Sequence, residues 1–507
     1  MGHGSPDIHL ATEHLRAELK THTVSGGLVT GVQQAAMLVI SLTSVIVLAR
    51  LLSPEDFGLL AMVFAVMGFF RAFSDAGLST ATIQREKITH AQVSNLFWTN
   101  TALGGAIAIA LAFCAPAFAW FYKEPRVTAV TVALSVTFIL TGLTVQHLAL
   151  MRRQMRFRAI AAIQIAAAVA GVGVGTWMAW WGYGYWSLVG MQLVTPACSL
   201  FMSWLLCRWR PQMPARHSGT RPLLRFGASL TASDFLWSLA RNSDGLLIGR
   251  WFGPEQLGVY SRATALLNRP LEQAVGPLGA VFLPALSRVQ LQPERYRRVV
   301  LEVHELVAVF SLLGSAVVLT LAKPVTIVVL GQRWEAASAV LAAYSLYAMY
   351  VPMTLAAAWV LSSQGRGRDL LLLSCFTSTI TISAFAIGLR FGLVGVAMSY
   401  SISCLLIQLP IVYWITGRVG VVTARDLWNG VLRHLPLWVI VAISTWFTRI
   451  SVAALAPAMQ LLICIPVALL SGTAAVWFSP PSHRAARVLV EIVRTWARGG
   501  AATRVER

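Results

Sequence analysis

The feature that most constrains this chain is a succession of apolar runs, recurring from residue 26 to residue 479, with only short polar breaks between them. A membrane-crossing helix needs about 20 mainly apolar residues, because where water is absent its backbone must satisfy its own hydrogen bonds. The runs predict spans at 26–49, 57–78, 95–119, 128–149, 159–180, 185–207, 226–249, 257–280, 303–322, 337–361, 370–389, 392–416, 430–448 and 457–479. With 57% hydrophobic and 12% charged residues, against about 45–50% and 25% in soluble proteins, a single soluble core is excluded. The expected class is an all-α polytopic membrane protein with about fourteen transmembrane helices.

The charges test that count. With the N-terminus inside, the termini and even-numbered gaps hold 28 Lys and Arg, whereas the odd-numbered gaps hold only Arg50, Lys123, Arg126, Arg250, Lys323, Arg333, Arg390 and Arg449. This bias predicts both termini in the cytoplasm. Trp177, Trp180, Trp181, Tyr183, Tyr185 and Trp186 bracket the fifth gap, where amphipathic rings suit headgroup level. A net charge of +20 is then explained by cytoplasmic loops and anionic lipid, and no polar module is long enough to bind nucleic acid. The six cysteines form no CxxC, so neither a disulfide framework nor a metal cluster is indicated. The polar leader, residues 1–25, has no signal-peptide pattern, which makes the first apolar run a retained helix.

A repeat lies at an offset of 200. ARLLSPEDFG, Ala49 to Gly58, matches GRWFGPEQLG, Gly249 to Gly258, with identity at Arg50/Arg250, Pro54/Pro254, Glu55/Glu255 and Gly58/Gly258. Each copy ends one apolar helix and opens the next; the proline suits a helix start and the glutamate the positive end of its dipole. Six spans separate the copies, so both halves enter the membrane in the same orientation, as two bundles related by an axis along the membrane normal. The expected organisation is a six-helix bundle at 26–207, a basic cytoplasmic linker at 208–225, a second six-helix bundle at 226–416, two additional helices within 430–479 and a basic tail at 480–507.

Charges inside apolar spans are costly unless paired or wet, and by default they mark a lumen, a substrate path or a coupling-ion site. Span seven carries Asp234, Arg241 and Asp244: Asp234 shares a helix face with Arg241 two turns away, and Asp244, three residues on, can pair with it directly. Span eight and its neighbourhood add Arg262, Arg269 and Glu272, and span two adds Arg71 and Asp75. Arg241, Asp244, Arg262, Arg269 and Arg71 are therefore candidate substrate-binding groups. Asp234, Asp244, Glu272 and Asp75 are candidate ion-coupling groups. A guanidinium fork suits phosphate oxygens, which points to a phosphorylated lipid or an acidic glycan. No GxxxxGK[ST], HExxH, GxSxG or nucleotide-sugar DxD pattern is present, so neither an enzyme nor a cofactor is expected.

The segment VIVLARLLSPEDFGLLAMVFAVMGFFRAFSDAGLSTATIQR, with ARNSDGLLIGRWFGPEQLGVYSRATAL, MRRQMRF at 151–157 and FLPALSR at 282–288, resembles the polysaccharide exporter branch of the multidrug/oligosaccharidyl-lipid/polysaccharide flippase superfamily. The resemblance is greatest to colanic-acid and lipopolysaccharide repeat-unit exporters. It implies an alternating-access flippase of the bacterial inner membrane that moves undecaprenyl-diphosphate-linked repeat units, with Na+ or H+ coupling, anionic lipids around it and a glycan polymerase among its partners. In the matching motifs it points to Arg241, Asp244 and Arg262. The alternatives are a cation-coupled multidrug exporter of the same superfamily, disfavoured by an arginine-rich cavity, and an integral glycan polymerase or ligase, disfavoured by short outer gaps.

Overall fold

A computed structural model describes residues 19–71, 73–74, 78–85, 88–215 and 221–478, with the backbone alone at 19–28, 78, 81, 84, 221–237, 239–240, 272–278, 280–281, 284 and 478. Every regular element among the described residues is helical. Nine helices are long and apolar enough to cross a membrane, or ten if the pair Gln332–Tyr344 and Tyr347–Ser363, bent by 45°, counts as one span. The chain is thus an all-α polytopic membrane protein. The shortfall from fourteen has identifiable sources. The stretch Gly367–Gly417 alone covers the two spans expected at 370–389 and 392–416. Those expected at 226–249 and 257–280 lie in the Arg221–Arg288 helix, which is broken at Gly253 and diluted by Arg241, Asp244, Arg262 and Arg269. The second run yields the 18-residue helix Pro54–Arg71.

The chain forms two compact units, Met1–Ser261 and Arg262–Arg507. In the first, small residues let neighbouring helices approach closely, because helices in lipid associate through packing rather than hydrophobic expulsion. A Cβ on Gly142 of the Arg126–Arg153 helix would stand 2.7 Å from the Asn100 carbonyl oxygen of the His90–Tyr122 helix. Gly171 and Gly175 of Phe157–Trp180 do the same against Thr195, Met191 and Ser187 of Tyr185–Cys207. A buried aromatic group closes one end of this unit: His147 stacks on Trp204 at 4.7 Å between centroids, with Phe97 and Trp209 edge-on around them.

The second unit packs Leu312, Met353, Leu361 and Tyr413 into its core, and the Tyr296 hydroxyl hydrogen-bonds Ser363 Oγ at 2.6 Å. The Arg366 guanidinium donates to the carbonyls of Ile415 at 2.6 Å, Thr416 at 2.9 Å and Val419 at 3.1 Å, and pairs with Asp369 at 2.7 Å. It thereby caps the carbonyl end of the Leu409–Gly417 helix, whose last carbonyls have no partner within the helix.

One turn is built twice. Gln154 (φ −84°, ψ 5°), Met155 (φ 54°) and Arg156 (φ −78°, ψ 53°) join Arg126–Arg153 to Phe157–Trp180. Gln364 (φ −86°, ψ 0°), Gly365 (φ 68°) and Arg366 (φ −82°, ψ 54°) join Tyr347–Ser363 to Gly367–Gly388. Their backbone bonds correspond as well: Arg156 N–H donates to Met151 and Arg366 N–H to Leu361, both at 2.9 Å. The two turns thus share one backbone geometry 210 residues apart.

Candidate functional site

The two Pro-Glu turns begin helices in different ways. In the first, Ser53 is the cap: its N–H and hydroxyl donate to Asp56 Oδ2 at 2.9 and 2.7 Å, and the Asp56 N–H donates back to Ser53 Oγ at 3.2 Å. In the second, the cap position is Gly253, with φ 82° and ψ −176°, a region open essentially to glycine alone. Glu55 of the first turn pairs with Arg126, which also holds Glu124 at 2.8 Å. This pairing gives the repeated glutamate a partner that the sequence did not indicate.

Within the first unit the two copies meet reciprocally. A Cβ on Gly58 would overlap the Pro254 carbonyl oxygen and stand 2.9 Å from the Gly258 nitrogen. A Cβ on Gly258 would stand 2.7 Å from the Pro54 carbonyl carbon and 3.0 Å from the Gly58 nitrogen. Residue i of one copy touches residue j of the other, and j touches i, the signature of a two-fold-like contact. The approach continues along the Pro54–Arg71 helix. Tyr122 donates its hydroxyl to the Met62 carbonyl at 3.1 Å and packs on Gly249, Ala65 faces Gly245, and the Gly68 carbonyl accepts from Ser238 Oγ at 2.7 Å. Asn242, which packs on Gly68, donates to the Ser238 carbonyl at 2.8 Å. Ser238, Asn242, Gly245 and Gly249 recur at helical spacing, so half of the RNSDG motif is an interlocking surface for the antiparallel helix.

That register fixes the charges. Because Gly68 lies at the level of Ser238 and Asn242, Arg71, three residues further on, falls within about one helical turn of Arg241 along the pair. Both side chains are exposed, away from the interlocked face. The Arg71 guanidinium also lies over the Phe64 ring at 5.5 Å. Asp244 is half-buried, accepts the Gly245 N–H at 2.7 Å and feels the Arg241 charge, with Tyr260 and Tyr122 beside it. Arg71, Arg241 and Asp244 thus share the first unit. Arg262 and Arg269 belong to the second, two turns apart on one helix face, where each acts on the other as a like charge. Asp75 lies outside the described residues, and so do the side chains of Asp234 and Glu272.

The second unit holds a polar chain that sequence reading missed. Tyr350 donates to Gln408 Oε1 at 2.8 Å, and Gln408 Nε2 donates to Thr381 Oγ1 at 3.2 Å. Gln408 ends a π-helical turn, Cys404–Gln408, of the kind that often marks functional positions. Isolated Tyr, Gln and Thr in apolar spans carry no charge to flag them. Among the described residues, no group of three His, Cys, Asp or Glu side chains is placed to hold a metal ion.

Residues 47–339 match the family model described as polysaccharide biosynthesis protein. The lipopolysaccharide biosynthesis protein WzxC of Escherichia coli strain K12 is 25% identical over 322 residues, which are 62% of this chain and 65% of that protein. The succinoglycan biosynthesis transport protein ExoT of Rhizobium meliloti strain 1021 is 25% identical over 301 residues, 59% of this chain and 61% of that protein. The matches thus span a little under two thirds of these relatives. Among solved structures, the lipid II flippase MurJ in an inward closed conformation superposes with a TM-score of 0.69 over 89% of this chain and 98% of its own, at 12% identity. An inward-facing multidrug resistance MATE family transporter gives 0.61 over 78% and 96%, at 15% identity. These two likenesses establish the fold.

Proposed function

The chain belongs to the polysaccharide biosynthesis protein family, in the polysaccharide-export branch of the multidrug/oligosaccharidyl-lipid/polysaccharide flippase superfamily, and from that premise we propose that it is a flippase for lipid-linked polysaccharide repeat units in the bacterial inner membrane. The names of WzxC and ExoT support the cargo class. The observation that carries the reading is the exposed pair Arg71 and Arg241, brought within about one helical turn of each other by the interlocked helices, with Asp244 beside Arg241. Two permanent cations on neighbouring helices suit a diphosphate, and they repel the small amphipathic cations that a multidrug exporter would carry. No reacting group is required, since the cargo is moved and not transformed.

In this reading fourteen spans form two six-helix bundles, 26–207 and 226–416, with two further helices, and both termini lie in the cytoplasm. Alternating access separates and rejoins the two Pro-Glu turns, the diphosphate passes the arginines and the isoprenoid stays in lipid. Arg262 and Arg269 extend the cationic path. Asp244, with Asp234, Glu272 and Asp75, is the acidic set from which a Na+ or H+ site is drawn, and a glycan polymerase receives the product.

The test is flipping of a lipid-linked glycan in reconstituted vesicles. Arg241→Lys keeps the charge and loses the planar fork. It should insert at normal abundance and flip about tenfold less cargo, and Arg241→Ala less again. Wild-type flipping by both variants at normal abundance would overturn the assignment.

A further inference from the structure

The outer end of the first unit carries a cleft that the proposed cargo path does not use. It has a volume of about 710 Å³ and is lined by Pro116, Trp120, Lys123, Glu124, Pro125 and Arg250, among others. It sits where the membrane-crossing helices His90–Tyr122 and Arg126–Arg153 join, which is headgroup height. Its walls divide by chemistry. Pro116 and Trp120, the latter 82% exposed, belong to the last two turns of a span and supply apolar wall. Lys123, the C-cap of that span, and Arg250 supply its cations.

The charge of this cleft is not balanced from within. Its carboxylate, Glu124, is engaged by Arg126 at 2.8 Å. Among the described residues, neither Lys123 nor Arg250 has a carboxylate within ion-pairing distance; Arg250 instead lies over the Trp251 ring at 5.8 Å. Lys123 also occupies a left-handed backbone position, φ 57°, at the cap of its helix, where glycine or asparagine is the unstrained choice. A lysine is thus held at a strained turn on the edge of a half-apolar, half-cationic cleft at headgroup height.

We propose that this cleft binds an anionic phospholipid, with Lys123 and Arg250 on the phosphate and Trp120 and Pro116 against the start of an acyl chain. Arg250 lies in the second Pro-Glu turn, and Arg126, next to Lys123, is paired with the first. A lipid bound here therefore bridges the neighbourhoods of both turns and favours the arrangement in which Gly58 and Gly258 are in contact. The site is independent of which glycan is carried.

The experiment uses the full chain in neutral detergent, with dioctanoyl-phosphatidylglycerol, dioctanoyl-phosphatidylcholine and inorganic phosphate as probes, and bound lipid counted by native mass spectrometry. Phosphatidylglycerol should bind in preference to phosphatidylcholine. Lys123→Gln with Arg250→Gln should weaken phosphatidylglycerol about thirtyfold, whereas Arg390→Gln, another cation of the outer gaps, should leave it unchanged. Trp120→Ala removes no core packing, and it should weaken the lipid while leaving inorganic phosphate unaffected. Equal binding of the two lipids, an unchanged preference in the double variant, or complete displacement by inorganic phosphate at equal concentration would overturn the proposal, the last by making the site one for free anions.

Discussion

Replacing Gly58 by alanine tests the reciprocal contact of the two turns. The new Cβ meets backbone, the Pro254 carbonyl and the Gly258 nitrogen at 2.9 Å, and no flexible side chain is there to yield. The opposite contact is as close, with a Cβ on Gly258 at 2.7 Å from the Pro54 carbonyl carbon. Carbon atoms at their optimum stand about 3.5–4.0 Å apart, so the two helix starts must separate by about 1 Å or more. Overpacking of this kind costs about 1–3 kcal/mol, and 3 kcal/mol erases a preference of roughly a hundredfold for the joined arrangement. Gly258→Ala strikes the same contact, so the double variant should cost less than twice the single. The assay is pulsed electron-electron spin resonance between labels at Leu51 and Trp251, both exposed, in a background with the six cysteines replaced. The wild type should give one narrow, short distance, and Gly58→Ala a longer or broader distribution. Identical distributions and identical thermal midpoints in the wild type, the single and the double variant would refute the reasoning.

Arg366→Ala strips two carbonyls of the Leu409–Gly417 helix, and that of Val419 just beyond it, of their guanidinium donor and leaves Asp369 with Arg418; it should cost about 2–4 kcal/mol, read as a lower thermal midpoint, with Arg366→Lys recovering less than half. The Arg126 guanidinium holds the Glu124 carboxyl below its ordinary range; its stabilisation is complete above the unfolded value of about 4.3 and is lost as pH falls through the lower folded value. Thermal scans from about pH 5 to pH 3 should therefore show a steeper loss in the wild type than in Arg126→Gln, the difference being small because the pair is partly exposed. Reporter fusions at Gln212 and Gln290 should read cytoplasm and those near Lys123 and Gly182 periplasm; the reverse pattern would defeat the proposed orientation.

What the sequence disclosed follows from which forces act locally. Hydropathy marks the spans because desolvation is a property of each run by itself, and the Pro-Glu turns repeat because proline and glycine are demanded by backbone geometry at the same places. The Gln154–Arg156 and Gln364–Arg366 turns escaped notice for a related reason. Their likeness resides in dihedral angles that Met155 adopts and Gly365 adopts more freely, and a ten-residue drift removes them from the offset of 200. The charged residues were legible as candidates, yet their company was not. Asn242, between Arg241 and Asp244, reads as polar until the opposing Gly68 shows it to be part of a packed face. Glu55 reads as a dipole partner until Arg126 is found beside it. Gln408 and Tyr350 carry no charge, and only the fold brings them together.

The duplicated joint is not mechanically even. At residue 53 a serine and an aspartate lock the helix start with three hydrogen bonds, whereas at residue 253 a bare glycine holds a backbone angle that side chains resist. The two matching corners are thus a bracket and a pivot. Any rocking of the molecule should be absorbed on the pivot side, and an inhibitor wedged against residue 253 would arrest a movement that one lodged at residue 53 would leave running.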